Sequence, residues 1–378
     1  MKRILFWIFP LCLMLLMSGC SGDAPLSKRV IVQNAGVDKA DGQYRLSLNA
    51  FVAEEAGEEN PDITSTQFFT RSGDTIVDAI ANLGLVTGRI PFFSHNEVVV
   101  IGEDTAKESI ADPMGFFMEF FECRAGVSVF IAKGSAEEVI ACKSSDTTVP
   151  AKNFQELAEI GKVSGKVIHK TVYDVGMAIS NPAVDLCLPC VAVEEYEEDG
   201  ETKKRLSSGD TALFRDDRLV GYLNEIQTKG YLILTNDVQH LSMDTKVKDY
   251  GTITVDFRSI QTDVQITLKD ARPVIRVTVA ADGEPVEKLN LNGKMLDNTF
   301  YELLRVESSR MLEQAMRECL EKSSQLRTDP YGFGAMVWSQ YPDFWEAHSE
   351  EWRDLLAQAD VSFSVHCNIR QIYKSLEE

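Results

Sequence analysis

Residues 251–280 read GTITVDFRSIQTDVQITLKDARPVIRVTVA. Apolar side chains recur at every second position, with Ile253, Val255 and Phe257, then Val264, Ile266 and Leu268, then Ile275, Val277 and Val279. A repeat of two sends successive side chains to opposite sides of a pleated backbone. The runs therefore predict three strands of an antiparallel sheet with one dry face and one wet face. A dry face needs a cover. From Asn298 to about Gln325 the apolar residues Phe300, Leu303, Leu304, Leu312, Ala315, Met316, Cys319 and Leu320 recur at intervals of three and four, the stripe of a long helix. Beyond it, TDPYGFGAMVWSQYPDFWEAHSEEWRDLL at 328–356 is dense in aromatic and turn residues. VSFSVHCNIRQIY at 361–373 then closes the chain as a strand, with Val361, Phe363, Val365, Cys367 and Ile369 on one side.

Working back from this half, GDTALFRDDRLVGYL at 209–223 has the pattern of a hairpin turning at Asp216-Asp217. Before it, EEYEEDGETKK at 194–204 has no apolar periodicity and is the best candidate for a boundary. The first half opens with two strand-like runs, RVIVQNAGVD and YRLSLNAFVA, around the turn dipeptide Asp41-Gly42. Helical spacing at 74–85, the apolar run in SHNEVVVIG and a helix at 105–121 follow. Then come the strand GVSVFIA, a capping box at Ser135–Glu138, helical segments at 154–160 and 172–179, and DLCLPCV at 185–191. Strands alternating with helices predict an α/β-type or α+β domain. The resulting map is a domain over 29–194, an acidic linker over 195–207 and a C-terminal α+β domain over 208–378, with a sub-boundary near 285. The class is α+β, multi-domain, with mixed and antiparallel sheets each covered by helices.

The chain begins with Lys2 and Arg3, an uncharged run from Ile4 to Met17, and then Ser18-Gly19-Cys20. This is a secretory signal layout, too short for a spanning helix, and the small residues before a cysteine match a bacterial lipobox. Residues 1–19 are expected to be removed, Cys20 to carry a diacylglyceryl lipid, and 20–28 to act as a tether. Two acyl chains give stable anchoring where one gives only marginal binding. Loss of Lys2 and Arg3 takes the net charge from −20 to −22, a surface that repels nucleic acid and anionic head groups. Cys187 and Cys190 form a C-x-x-C, but in an alternating run rather than at a strand-to-helix junction, so a buried structural pair is favoured over a redox or metal role. The five histidines are isolated, and no P-loop, G-x-S-x-G or dinucleotide fingerprint is present. No cofactor, metal or catalytic residue is therefore assigned.

At RVIVQNAGVDKADGQYRLSL, SHNEVVVIGEDTAKESI, GDTALFRDDRLVGYLNEIQTKGYLIL and TDPYGFGAMVWSQYPDFW the sequence resembles the Ger(x)C lipoprotein family, the C subunits of spore germinant receptors. Gly209, Leu219, Val220, Gly221, Glu225, Asp329, Gly332, Phe333, Gly334 and Pro342 match that pattern in order. A Trp-Asp pair common after the lipidated cysteine is missing, and Tyr222 stands where tryptophan is common. The resemblance implies a non-catalytic subunit anchored on the outer face of the inner spore membrane. There it would work with integral-membrane A and B subunits in nutrient-triggered germination. Of the aromatics in the 331–345 segment, Tyr331, Phe333, Trp338 and Trp345 are candidates for partner contact. The competing readings are a solute-binding lipoprotein, which would need two lobes joined by crossovers around a cleft, and a surface enzyme, for which only the C-x-x-C speaks.

Overall fold

A computed structural model describes residues 28–52, 66–120, 122–142, 164–238, 240–289 and 296–370, together with Phe154, Glu156, Leu157, Ile160 and Gly161. The signal, Cys20 and all of the tether but Lys28 lie outside the described residues, as does much of the 154–160 segment.

The Asp41-Gly42 dipeptide closes the first hairpin, β1 (Arg29–Ala40) against β2 (Gln43–Val52), with Ala40 opposite Gln43. Both turn residues have positive φ, 53° and 79°, the geometry that matches the natural twist of paired strands. β3 (Thr66–Gly73) extends this edge. On its other side β1 runs parallel to β4 (Ile90–Phe92) and β5 (Val98–Ile101). β6 (Ser128–Ala132) and β7 (Cys187–Glu198) continue in parallel, and β8 (Glu201–Arg215) and β9 (Arg218–Leu223) return antiparallel. The sheet order is β3-β2-β1-β5-β6-β7-β8-β9, with β4 beside β1.

Side-chain alternation splits this sheet between two cores. Val32, Val99, Ile101, Val129 and Ile131 pack on α1 (Ile76–Thr87), α2 (Glu103–Glu108), α3 (Ala111–Glu119) and α5 (Val172–Ile179) through Leu83, Ala106, Met114, Phe117 and Val175. Val98, Val100 and Phe130 point the other way, onto α4 (Ala136–Ala141). Each such fully buried large side chain contributes about 1.5–3 kcal/mol. Helix α4 starts at Ser135 as expected, but Glu138 does not complete a capping box. Instead Asp38 of β1 accepts from the amides of Ala136 and Glu137 and from the Ser135 hydroxyl at 2.8–3.0 Å.

The acidic linker is not a linker. Residues 195–207 lie in β7 and β8, which pair through an Asp199-Gly200 turn. Cross-strand ion pairs Glu195–Lys204 and Glu194–Arg205 hold it, so it needs no apolar face. Ala212, Phe214 and Leu219 belong to the first core, so the first sheet ends at Leu223 rather than at 194.

After β9, α6 (Glu225–Leu234) leads to a second sheet of order β10-β11-β12-β13. β10 (Leu241–Val247) is absent from the sequence reading. The two runs read as separate strands at 253–257 and 264–268 are one strand, β11 (Gly251–Lys269), with register shifts at Thr254/Val255 and Phe257/Ser259. β12 (Arg272–Leu289) passes through position 285 unbroken, so no sub-boundary falls there. The long helix α7 (Asn298–Leu326) covers the sheet as expected, burying Phe300, Leu304, Leu312, Ala315, Met316 and Cys319. Leu303 is left exposed. α7 carries the chain back along the sheet, so β13 (Asp360–Ile369) joins β12 in parallel and makes this sheet mixed rather than antiparallel. Among the described residues the chain passes between the sheets once, between β9 and β10, unlike two lobes joined by repeated crossovers.

Gly230 lets α6 cross α7 closely: a Cβ there would sit 2.1 Å from the Ala315 carbonyl oxygen and 2.9 Å from the Cys319 Cβ. Overpacking of about 1–3 kcal/mol outweighs the propensity gain of about 1 kcal/mol from replacing a helical glycine. Gly230→Ala is expected to lower the urea midpoint, and an unchanged or higher midpoint would show that the crossing is slack.

Candidate functional site

The motif residues Asp329 to Gly334 lead from α7 through a turn into the first residues of α8 (Phe333–Gln340). A helix start leaves its first amides without intrahelical partners. Gly332, the residue before α8, adopts φ 75° and has no side chain to offer them. Asp329 supplies the acceptors instead, with Oδ1 taking the Phe333 amide at 3.2 Å and Oδ2 the Gly334 amide at 2.7 Å. After α9 (Pro342–His348), the indole Nε1 of Trp352, at the start of α10 (Trp352–Ala357), donates to the same Oδ2 at 2.9 Å. Gly334 is glycine for space, since a Cβ would lie 2.7 Å from the Ala183 carbonyl oxygen and 2.8 Å from Trp352 Nε1.

Asp185, just before β7, meets this turn from the first sheet. Its amide donates to the Asp329 carbonyl at 2.9 Å, and its Oδ2 accepts from the Asp329 amide at 2.7 Å. Arg353 of α10 grips Asp185 with two parallel bonds, Nε to Oδ2 at 3.0 Å and Nη2 to Oδ1 at 2.7 Å. The same Nη2 reaches Asp216 Oδ1, in the β8–β9 turn, at 2.8 Å. Asp185 and Asp329 are both buried, and a cleft of about 460 Å³ lies beside them, lined in part by Pro182, Trp338, Trp345 and Glu350. Burial pushes the Asp329 carboxyl up to about 6, against the pull of the Trp352, Gly334 and Phe333 donors. The arrangement is a clasp between the two sheets. It accepts hydrogen bonds and pairs charge, and every carboxylate oxygen of the two buried acids has at least one donor.

The aromatics proposed for partner contact separate on burial. Phe333 and Trp345 are core residues, which corrects that expectation for both: their rings are spent on packing inside the second unit. Tyr331 is half-buried, stacked on Phe333, with its hydroxyl 2.8 Å from Ser323 Oγ and 3.1 Å from Cys319 Sγ. Trp338 alone is exposed, at 45%, and its ring stacks on Trp345 with centroids 6.0 Å apart. Cys187 and Cys190 are buried in β7, and Pro189 between them sits at a register shift, where a strand tolerates its missing N–H. Burial raises both thiols, that of Cys190 to about 12. Among the described residues no group of three or more His, Cys, Asp or Glu is placed to hold a metal ion, and no helix is long and apolar enough to cross a membrane. Sequence reasoning missed Asp185, Asp216, Arg353 and Trp352 as members of the site. An acid heading DLCLPCV was their one local signal.

Two family descriptions match in succession. "Spore germination protein N-terminal domain" covers residues 23–193, and "Spore germination B3/ GerAC like, C-terminal" covers 209–373. The spore germination protein KC of Bacillus subtilis (strain 168) is 22% identical over 407 residues, covering 98% of this chain and 96% of that one. The spore germination protein YndF of the same strain is 24% identical over 306 residues, covering 79% and 73%. The solved structure titled "Crystal Structure of the GerBC protein" superposes with a TM-score of 0.59 at 17% identity, covering 89% of this chain and 97% of that one, and so shares the fold.

Asp329 holds its proton more tightly folded than unfolded. Between pH about 4 and about 6 the folded chain is protonated there and the unfolded chain is not. The stability this group contributes is full below pH about 4 and is lost as pH rises past about 6, a change of about 3 kcal/mol. Asp329→Asn should flatten that slope in urea titrations. It should also lower stability throughout, because the amide nitrogen cannot accept on whichever side it faces, from Phe333 or from Gly334 and Trp352. A variant with the parent's slope would place the titration on another group. For the cysteines, native protein treated with iodoacetamide should stay unmodified at Cys187 and Cys190 by mass spectrometry until denaturant is added. Rapid native labelling of either would revive a reactive pair.

Proposed function

Since this chain belongs to the Ger(x)C family of spore germination proteins, we propose that it acts as the lipid-anchored subunit of a germinant receptor, without catalysis of its own. The observation that carries the reading is the match of both family halves, in order, over nearly all of the chain downstream of a lipobox cysteine. On this reading Cys20 becomes the N-terminus and carries the diacylglyceryl group. The folded part is then held on the outer face of the inner spore membrane. Its partners are the integral-membrane A and B subunits, and its role is receptor assembly and the response to nutrient. The clasp of Asp185, Asp329, Arg353 and Asp216 suits that role, because a subunit bridging other chains needs its own two units held in one orientation. Its chemistry is that of a rigid joint rather than a reaction centre. Trp338, exposed on the second unit, is the aromatic we assign to partner contact.

Replacing the anchor residue tests the reading. Cys20→Ala should move the protein from the membrane to the soluble fraction of disrupted spores and depress nutrient-triggered germination, with germination by non-nutrient routes unchanged. Firm membrane pelleting of the variant would remove the anchor from the account, and unimpaired germination would remove the receptor role.

A further inference from the structure

We infer that the end of the first sheet nearest the anchor is a bilayer-contacting surface, with Leu85, Val86 and Ile90 seated among the lipid head groups. The inference rests on the anchored reading above. These three side chains are 85%, 63% and 59% exposed, although α1, which carries Leu85 and Val86, buries Ile76, Ala79 and Leu83. They gather at one place. α1 ends at Thr87, where Gly88 turns the chain at φ 66°, and the Thr87 hydroxyl ties the carbonyls of Leu83 and Arg89 at 3.0 and 3.1 Å. The chain then enters β4 at Ile90, whose register partner is Arg29, the first residue of β1. Arg29 is itself fastened there, 3.4 Å from Glu122 and with its guanidinium 4.4 Å above the Phe92 ring.

The occupant follows from the tether. Lys28 stands eight residues after Cys20, a separation that spans at most about 30 Å of chain. A lipid on Cys20 therefore keeps this end of the sheet close to the membrane. Charge restricts the approach further. The chain as a whole carries −20 and is repelled by anionic head groups, whereas at this tip the Arg29 charge is offset by Glu122 and the cations Lys28 and Arg89 stand beside the pair. Exposed apolar side chains with Lys28 and Arg89 nearby in the chain fit the boundary between head groups and acyl chains.

The test uses the lipidated protein in vesicles that contain bromine-labelled phospholipids, with tryptophan placed at exposed positions as Leu85→Trp, Ile90→Trp and Val77→Trp. Val77 is also exposed, at 60%, but lies about 12 Å back along α1. The fluorescence added at positions 85 and 90 should be quenched about twofold or more strongly than that added at 77, after subtraction of the parent protein's signal. Mass spectrometry of the N-terminal peptide separates the two claims. Lipid on Cys20 with equal or absent quenching at all three positions overturns the contact surface and leaves the anchor standing. No lipid on Cys20 overturns both.

Discussion

Two carboxylates buried between the sheets, Asp185 and Asp329, are the constraint on which the arrangement of this molecule depends. Removing a carboxylate from water costs several kcal/mol unless donors replace the water it loses. Here the donors come from separate parts of the chain: amides of the α8 start, the Trp352 indole and the Arg353 guanidinium. The penalty is offset only when β7, the α7–α8 turn and α10 are all in place. Sliding or rotating one sheet against the other would strand a charge, and breaking such a pair costs about 3–5 kcal/mol. Apolar packing alone tolerates small slips. A directional network of this kind does not.

The same network explains the glycines and aromatics of the 329–334 motif. Gly332 turns the chain with positive φ, Asp329 caps the helix that Gly332 cannot, and Gly334 clears room for Trp352 and the Ala183 carbonyl. Phe333 and Trp345 fill the core behind it. A string of aromatics in sequence therefore reads equally well as an interface or as a core. Only Trp338 faces outward, because its helix turns that position away while Trp345 takes the stacked place beneath it.

Where apolar periodicity was strong, the fold was legible. Both hairpin turns with Asp at positive φ, the α7 stripe and the alternating faces of β11, β12 and β13 lie where residue spacing puts them. Where pairing rests on charge, the pattern was silent. The 194–205 arm is stabilised by lysines and an arginine opposite glutamates, so it carries no alternation and reads as a linker. β10 was missed because its inward row, Leu241, Met243, Thr245 and Val247, is short and interrupted by the polar Thr245. The gap read between two strands inside β11 is polar on both sides at 261–263, yet the ladder to β12 continues across it.

The sequence by itself determined the strongly periodic elements and the family motif, because each is written in residues a few positions apart. The tertiary structure decided what Asp329 does. Its partner Asp185 is 144 residues away, and Arg353 reaches Asp185 across 168 and Asp216 across 137. Spacing along a chain cannot encode such meetings. They arise from how two sheets are turned toward each other, and burial of Asp185 and Asp329 at that contact makes a joint of them with Arg353 and Asp216.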